Sequence, residues 1–296
     1  MRSADVARLV ALALIWSASF AFIRVLAPVL GPVWVAAARL LLGGGALVLG
    51  LLAVHRHANP GEHWRAYLFV GIVNSALPFL LFAYAALTLP ASYLVILNAA
   101  LPLFAAVAAS AWLGDPLTAS KVAGFAAGIG GVALVSRAGP LVPDAAFSIA
   151  VAASLCAVAC YAAAGVWLKR RGASLDPLAV AAWSQLFGGL TLLPIVPLSP
   201  IRGEITAVVV INVALLALLC STVAYVLYFR LIADIGPTRA MTVTFLMPAF
   251  GMLWGYLFLD ETITLPMLAG AAMIVAGTAG VVRSRATLRG ASPRSG

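Results

Sequence analysis

The 296 residues are 64% hydrophobic and only 9% charged. So little polar surface cannot cover a water-soluble domain, which excludes soluble enzymes and soluble binding modules. The net charge of +9 would suit nucleic acid, but the basic residues fall in short connections between apolar runs, where they read as a membrane topology signal instead.

About 20 apolar residues are needed to cross roughly 30 Å of hydrocarbon. Ten such runs follow one another at 8–27, 33–54, 65–87, 91–112, 119–136, 147–168, 178–198, 207–232, 239–259 and 265–282. The expected fold class is all-α integral membrane, with ten transmembrane helices and no room for a soluble domain. Arg2 and Arg8 ahead of span 1, with Ser17-Ala18-Ser19 inside it, mimic a secretory signal. Span 1 nevertheless belongs to an internal repeat, because Trp16 and Arg24 fall on Tyr161 and Lys169 at a shift of 145.

The same shift carries Pro32, Ala36, Ala37, Gly43 and Gly44 onto Pro177, Ala181, Ala182, Gly188 and Gly189. A shift of 146 carries Pro102, Phe104, Leu113, Thr118, Gly124, Gly131 and Arg137 onto Pro248, Phe250, Leu259, Thr264, Gly270, Gly277 and Arg283. The copies correspond to residues 1–140 and 141–296, with five spans each. An odd number of spans makes the second copy enter the membrane in the opposite sense, so two inverted five-helix repeats are expected. Inverted repeats place a site near the bilayer midplane and open it to one side and then the other, which is the layout of a secondary transporter.

With the N-terminus in the cytoplasm, fourteen of the eighteen Lys and Arg residues collect on that side. Arg24, Arg137 and Arg202 fall on the other side, and Arg39 falls inside span 2. Both termini are therefore expected in the cytoplasm.

Along the spans, the candidate solute contacts come in chain order. Trp16 and Phe20 share a face of span 1, and Tyr161 is the repeat mate of Trp16. Arg39 lies six residues into span 2, where a charge is costly. It could snorkel to the outer headgroups or meet a solute carboxylate in a bidentate pair. Pro78, Pro102 and Pro248 lie deep in spans 3, 4 and 9, and each deprives the carbonyl four residues earlier of its partner. Those residues are Asn74, Asn98 and Thr244, so each pair offers a free carbonyl and a polar side chain to an ammonium group, or simply a repaired kink. Ser221, Tyr225 and Tyr228 share a face of span 8, suited to a flat amphiphilic solute or to core packing. Glycine-rich spans 5 and 10 suggest tight packing inside the bundle, with a homodimer through them as the other option.

Enzymatic chemistry has no visible constellation. Cys156, Cys160 and Cys220 lie within spans, and His55, His57 and His63 share one loop. No metal, cofactor or nucleotide motif is present. All nine carboxylates map to loops or span ends, and an arginine cannot relay protons. Facilitated uniport without proton coupling is the expected energetics.

Two motifs carry a family resemblance. Leu113-Gly114-Asp115-Pro116-Leu117-Thr118 and Leu259-Asp260-Glu261-Thr262-Ile263-Thr264 each follow a proline-containing span and precede a glycine-rich one, and Trp16-Ser17-Ala18-Ser19-Phe20 opens the chain in the same style. The whole chain resembles the drug/metabolite transporter superfamily, in its ten-span group of paired EamA domains, and is similar to bacterial aromatic amino-acid exporters. The resemblance implies a carrier exporting small metabolites, with aromatic or other apolar amino acids foremost. Drugs or nucleoside-like solutes are the alternative within transport; a membrane-embedded enzyme or a non-transporting scaffold is the alternative outside it. The implied partners are a small-molecule solute and the lipid bilayer, with no nucleic acid. Where the family usually has Gly-Glu, this chain has Gly114-Asp115 and Asp260-Glu261; the latter pair is expected to favour the N-terminus of span 10.

Overall fold

The computed structural model describes residues 2–54, 60–116, 118–138, 144–172 and 174–290, without the side chains at 137–138, 237–238 and 283–290. His55, Arg56, His57, Leu117 and Arg294, and the side chains of Arg137, Arg283, Arg285 and Arg289, lie outside that description. Among the described residues every regular element is helical. Eight helices are long and apolar enough to cross a membrane: Ser3–Leu30, Pro32–Ala53, Pro60–Ala85, Ala91–Leu113, Ala119–Ser136, Ala145–Arg171, Ala207–Ile235 and Leu265–Val282. They are spans 1 to 6, 8 and 10. Large apolar side chains such as Leu49, Ile129, Phe258 and Leu265 point outward, as suits contact with hydrocarbon.

Spans 7 and 9 are shorter than expected. Span 7 is helical only over Pro177–Leu192, because Pro194 and Pro197 cannot continue the ladder and the chain leaves through a turn and a short 3-10 segment, Val196–Leu198. Span 9 is helical over Val243–Leu259, preceded by the one-turn helix Pro237–Ala240. At the break, the hydroxyls of Thr242 and Thr244 donate to the carbonyls of Arg239 and Met241, 2.7 and 2.8 Å away, and so compete with the backbone ladder.

The helices pack in pairs that survive exchange of the two halves. Span 5 runs along span 10, and span 2 along span 7. Span 1 lies on spans 8 and 9 as span 6 lies on spans 3 and 4. Contacts at the ends agree with ten crossings. Arg8, near the start of span 1, meets Asp234, at the end of span 8, at 2.5 Å. At the other end of the bundle, Arg24 donates to the Ala86 carbonyl and Trp34 to that of Ser199.

Glycines set the closest crossings. A Cβ on Gly124 would lie 2.6 Å from the Gly277 carbonyl oxygen, and one on Gly131 would lie 2.7 Å from that of Gly270. The glycine faces of spans 5 and 10 are thus consumed against each other, the packing role expected of them.

Spans 3 and 8 each contain a π-helical segment, Ile72–Ala76 and Leu215–Val223. At the repeat shift of 146 the first falls inside the second. In span 3 the segment precedes Pro78, and the Leu77 N–H reaches back five residues to the Ile72 carbonyl. In span 8 the Thr222 hydroxyl enters the ladder, 3.5 Å from the Ala217 carbonyl and 3.0 Å from that of Gly43. Inserted side chains and missing donors are both known causes of such turns.

The paired motifs end spans 4 and 9 in left-handed turns, at Gly114 with φ 70° and Asp260 with φ 52°. Glu261 does not serve span 10, as the sequence suggested. It crosses to the other half and caps span 4, accepting from the backbone N–H groups of Ala91 and Ser92 at 2.6 and 3.0 Å. Pro90 at the cap position offers no side-chain acceptor, so these exposed donors draw the carboxylate in. Glu261→Ala should lower the stability of the purified protein by about 1–2 kcal/mol. An unchanged apparent Tm in detergent would show that the cap is ornamental.

Candidate functional site

Three charged side chains are buried among the described residues: Asp5 and Lys121 lie in the first turns of their helices, where Lys121 Nζ donates to the Pro116 carbonyl at 2.6 Å, and Arg39 lies deeper in its span. Arg39 is only 6% exposed and does not snorkel. Its Nε donates to Ser221 Oγ at 3.1 Å, and its Cζ stands 3.9 Å over the Phe79 ring. The guanidinium is thereby fixed between span 8 and span 3. Among the described residues no hydrogen bond or ion pair engages its terminal Nη1 and Nη2.

No acidic side chain answers this charge, and all nine lie within the described residues. Asp5 accepts from the Arg2 N–H at the start of span 1, and Asp234 pairs with Arg8. Asp144 and Asp176 cap spans 6 and 7 through the N–H groups of Phe147 and Ala179. Glu261 caps span 4. Glu62 lies in the first turn of span 3; Asp115, Glu204 and Asp260 lie in connections or at a helix end. A buried cation without a counter-charge is expensive, which makes Arg39 the leading candidate among the described residues for a solute contact.

Two groups of aromatic side chains lie near Arg39, and they obey the repeat. In one, Trp16 meets Tyr225 edge-on at 6.1 Å and Tyr228 at 5.1 Å. In the other, Tyr161, the mate of Trp16, stacks on Phe82 at 6.3 Å, and Phe20 meets Phe82 edge-on at 5.3 Å. Tyr161 and Tyr225 both lie within electrostatic reach of Arg39. Phe79 and Phe82 escaped the sequence reading, although the signal was there: the shift of 146 that relates spans 3 and 8 carries them onto Tyr225 and Tyr228. Arg39 breaks the symmetry, since its own mate is Ser184.

Trp16, Phe20, Arg39, Tyr161, Ser221, Tyr225 and Tyr228 are thus gathered into one group, with Pro78 adjoining it through Phe79. The polar residues ahead of the prolines are not joined to it by any hydrogen bond among the described residues. Pro102 and Pro248 are mates in sequence but not in structure. Pro102 begins a new helical segment after a break at Ala99 and Ala100, whereas Pro248 sits inside a continuous helix. At the break beyond Asn98, the buried Thr278 of span 10 donates to the Ala99 carbonyl at 3.1 Å, so part of the kink is repaired within the bundle. Thr244 spends its hydroxyl on Met241. Asn74 lies within the π-helical segment of span 3.

Gln185, at the mirrored depth in span 7, is buried and leaves Oε1 without a partner, as does the buried Ser75 with its Oγ. A cavity of about 710 Å³ opens elsewhere, between spans 4, 5 and 6. Leu103, Phe104, Val107, Phe125, Ile129 and Leu155 line it with other apolar residues, and it contains no charged side chain to orient a polar solute.

An all-helical bundle of apolar spans with a buried arginine among aromatic side chains has the layout of a membrane transporter. The chain belongs to the EamA-like transporter family, whose model matches residues 6–137 and 148–283, once on each half. It is 28% identical over 251 residues to the uncharacterized transporter YvbV of Bacillus subtilis, covering 82% of this chain and 80% of that one. It is 28% identical over 266 residues to the protein PecM of Dickeya dadantii, covering 88% and 86%. A protein of Streptantibioticus cattleyicolor named a probable terminal-alkyne amino-acid exporter is 27% identical over 190 residues, covering 64% and 63%. A crystal structure superposes with a TM-score of 0.66 at 18% identity, covering 99% of this chain and all of the other, which shows the fold alone.

Proposed function

We propose that the protein exports small carboxylate-bearing metabolites, aromatic or other apolar amino acids foremost, by alternating access of two inverted halves, residues 1–140 and 141–296. The observation that carries this reading is Arg39, buried without a counter-charge near two repeat-related aromatic groups. A carboxylate would take Nη1 and Nη2 in a bidentate pair. An apolar or aromatic side chain would lie among Trp16, Phe20, Phe82, Tyr161, Tyr225 and Tyr228. The carbonyls and polar side chains at Asn74, Asn98 and Thr244 would serve the ammonium, with Pro78, Pro102 and Pro248 as bending points. The similarity to the probable terminal-alkyne amino-acid exporter of Streptantibioticus cattleyicolor supports an amino-acid cargo and an outward direction.

Transport would be facilitated, driven by the solute's own gradient. Purified protein in liposomes should take up labelled phenylalanine or tryptophan with no imposed proton gradient, and Tyr225→Ala should slow this uptake about tenfold or more. Accumulation above equilibrium driven by a pH gradient alone would overturn uniport. Both termini would face the cytoplasm, on the distribution of basic residues, and the bacterial relatives support a location in the inner, cytoplasmic membrane. C-terminal fusions should light a cytoplasmic reporter and leave a periplasmic one dark; the reverse would refute this topology.

A further inference from the structure

Span 7 answers Arg39 with a buried polar group of the opposite kind. Gln185, one residue beyond the repeat mate of Arg39, is 1% exposed, and its Oε1 has no hydrogen-bond partner. Its Nε2 lies 3.4 Å from the Ala181 carbonyl oxygen of its own helix, so the amide presents Oε1 on its other side.

Packing on span 2 ties this residue to the guanidinium. Ser221, which accepts from Arg39 Nε, lies against Gly43, where an added Cβ would stand 2.9 Å from the Ser221 Cβ. Gln185 lies against the next residue, Gly44, where an added Cβ would stand 3.0 Å from the Gln185 Cβ. A second open acceptor comes from span 3. Ser75 is fully buried with its Oγ unpartnered, one turn before Phe79, whose ring underlies the guanidinium. The π-helical segment that carries Ser75 packs against spans 2 and 7. One turn before Ser75, a Cβ on Gly71 would strike the carbonyl oxygen of Ser184, the neighbour of Gln185.

Donors and acceptors are therefore both left open here, and they do not satisfy one another. The terminal nitrogens of Arg39 are unengaged, and so are Gln185 Oε1 and Ser75 Oγ. Buried polar atoms without partners are rare and costly, so a cluster of them marks a place for a complementary ligand. An acid at position 185 would pair with Arg39 and close the site. A neutral amide leaves the arginine its charge and can still accept from a cation.

We infer that Gln185 Oε1 and Ser75 Oγ accept from the α-ammonium group of the solute while Arg39 holds its carboxylate. The site then selects the whole α-amino-acid head over a monocarboxylate or an amine carrying the same ring. The inference rests on the reading that Arg39 lines the solute path, and it adds two acceptors to the groups ahead of the prolines.

Calorimetric titration of the full-length purified protein near neutral pH tests it, with phenylalanine, 3-phenylpropionate and phenethylamine as probes. In the native protein phenylalanine should bind about tenfold or more tighter than either of the others. Gln185→Met keeps the length of the side chain and removes the acceptor. It should weaken phenylalanine about tenfold or more and leave 3-phenylpropionate within about threefold, which closes the gap between them. Loss of a merely structural amide would weaken both alike and leave the gap as it was. Ser75→Ala should narrow the gap at least about threefold, and it decides the matter if Gln185→Met yields no folded protein. A gap absent from the native protein, or one that survives the deciding substitution, overturns the inference; the role of Arg39 still stands if Arg39→Met abolishes binding of phenylalanine and 3-phenylpropionate. If Arg39→Met leaves both affinities unchanged, or if none of the probes binds the native protein, both readings fall together.

Discussion

Arg39→Met should abolish transport while leaving the protein as stable as before, or more so. Both halves of that expectation follow from a buried charge that no carboxylate answers. A guanidinium that made its living in the fold would have an ion-pair partner, and removing it would strand that partner at a cost of about 3–5 kcal/mol. Arg39 has a single hydrogen bond to a hydroxyl and a ring face, so its removal strands only Ser221 Oγ. Methionine follows the same path among apolar neighbours and needs no desolvation. The loss falls on the solute, which forfeits a bidentate charge-assisted contact; about 2–4 kcal/mol corresponds to roughly 30-fold to 1,000-fold in affinity. Arg39→Lys should retain part of the binding, because it keeps the charge but not the fork. Uptake in liposomes and the apparent Tm in detergent check the two halves separately. A variant that transports normally, or one that fails to fold, would mean that Arg39 has been misread.

Gly277→Leu should prevent folding outright. A Cβ there would lie 2.5 Å from the carbonyl oxygen of Gly124, and the reciprocal Cβ on Gly124 would lie 2.6 Å from that of Gly277. The obstacle is backbone on a packed helix, which cannot step aside as a side chain can. Spans 5 and 10 would have to separate along their length, at a cost above about 4 kcal/mol, in the range that single substitutions rarely reach. Gly45→Leu is the matched control, because a Cβ at Gly45 meets nothing within 4 Å. Monodisperse yield after membrane extraction is the readout. Equal yields from both variants would show that the close crossing does not hold the bundle together.

Much of this architecture was legible in the sequence because hydrocarbon is an unforgiving solvent. Ten apolar runs could be counted, and the repeat shifts predicted which helices are equivalent. Trp16, Tyr161 and the face of Ser221, Tyr225 and Tyr228 were found by spacing, since a helix in lipid keeps its periodicity. Phe79 and Phe82 were missed because span 3 was read through Asn74 and Pro78 alone, and the repeat shift was not carried along its aromatic residues. The cap by Glu261 was illegible because it joins residues 170 apart in the chain, and only the fold shows that the donors at Ala91 lie opposite. The prolines misled in another way. Sequence symmetry implied equal kinks at Pro102 and Pro248, but threonine hydroxyls moved the break in span 9 several residues earlier. Local hydrogen bonds decided the geometry there, and they are not part of the repeat.

The absence of a cationic mate for Arg39 has an electrical consequence. On the proposed mechanism the two halves exchange roles as the carrier turns over, so a charge carried by one half alone changes its depth in the membrane field. A full elementary charge crossing that field is worth about 2.3 kcal/mol per 100 mV, so moving through even a quarter of it changes the ratio of the two orientations by about threefold. The empty carrier bears this charge, and so does the carrier holding a zwitterionic amino acid, whereas a bound organic anion cancels it. For such an anion an inside-negative voltage draws the vacant site toward the cytoplasm and loses its hold once the carboxylate has paired. A single unmatched arginine would thus make turnover sensitive to the resting voltage for anions and indifferent to it for zwitterions, without the movement of any coupling ion.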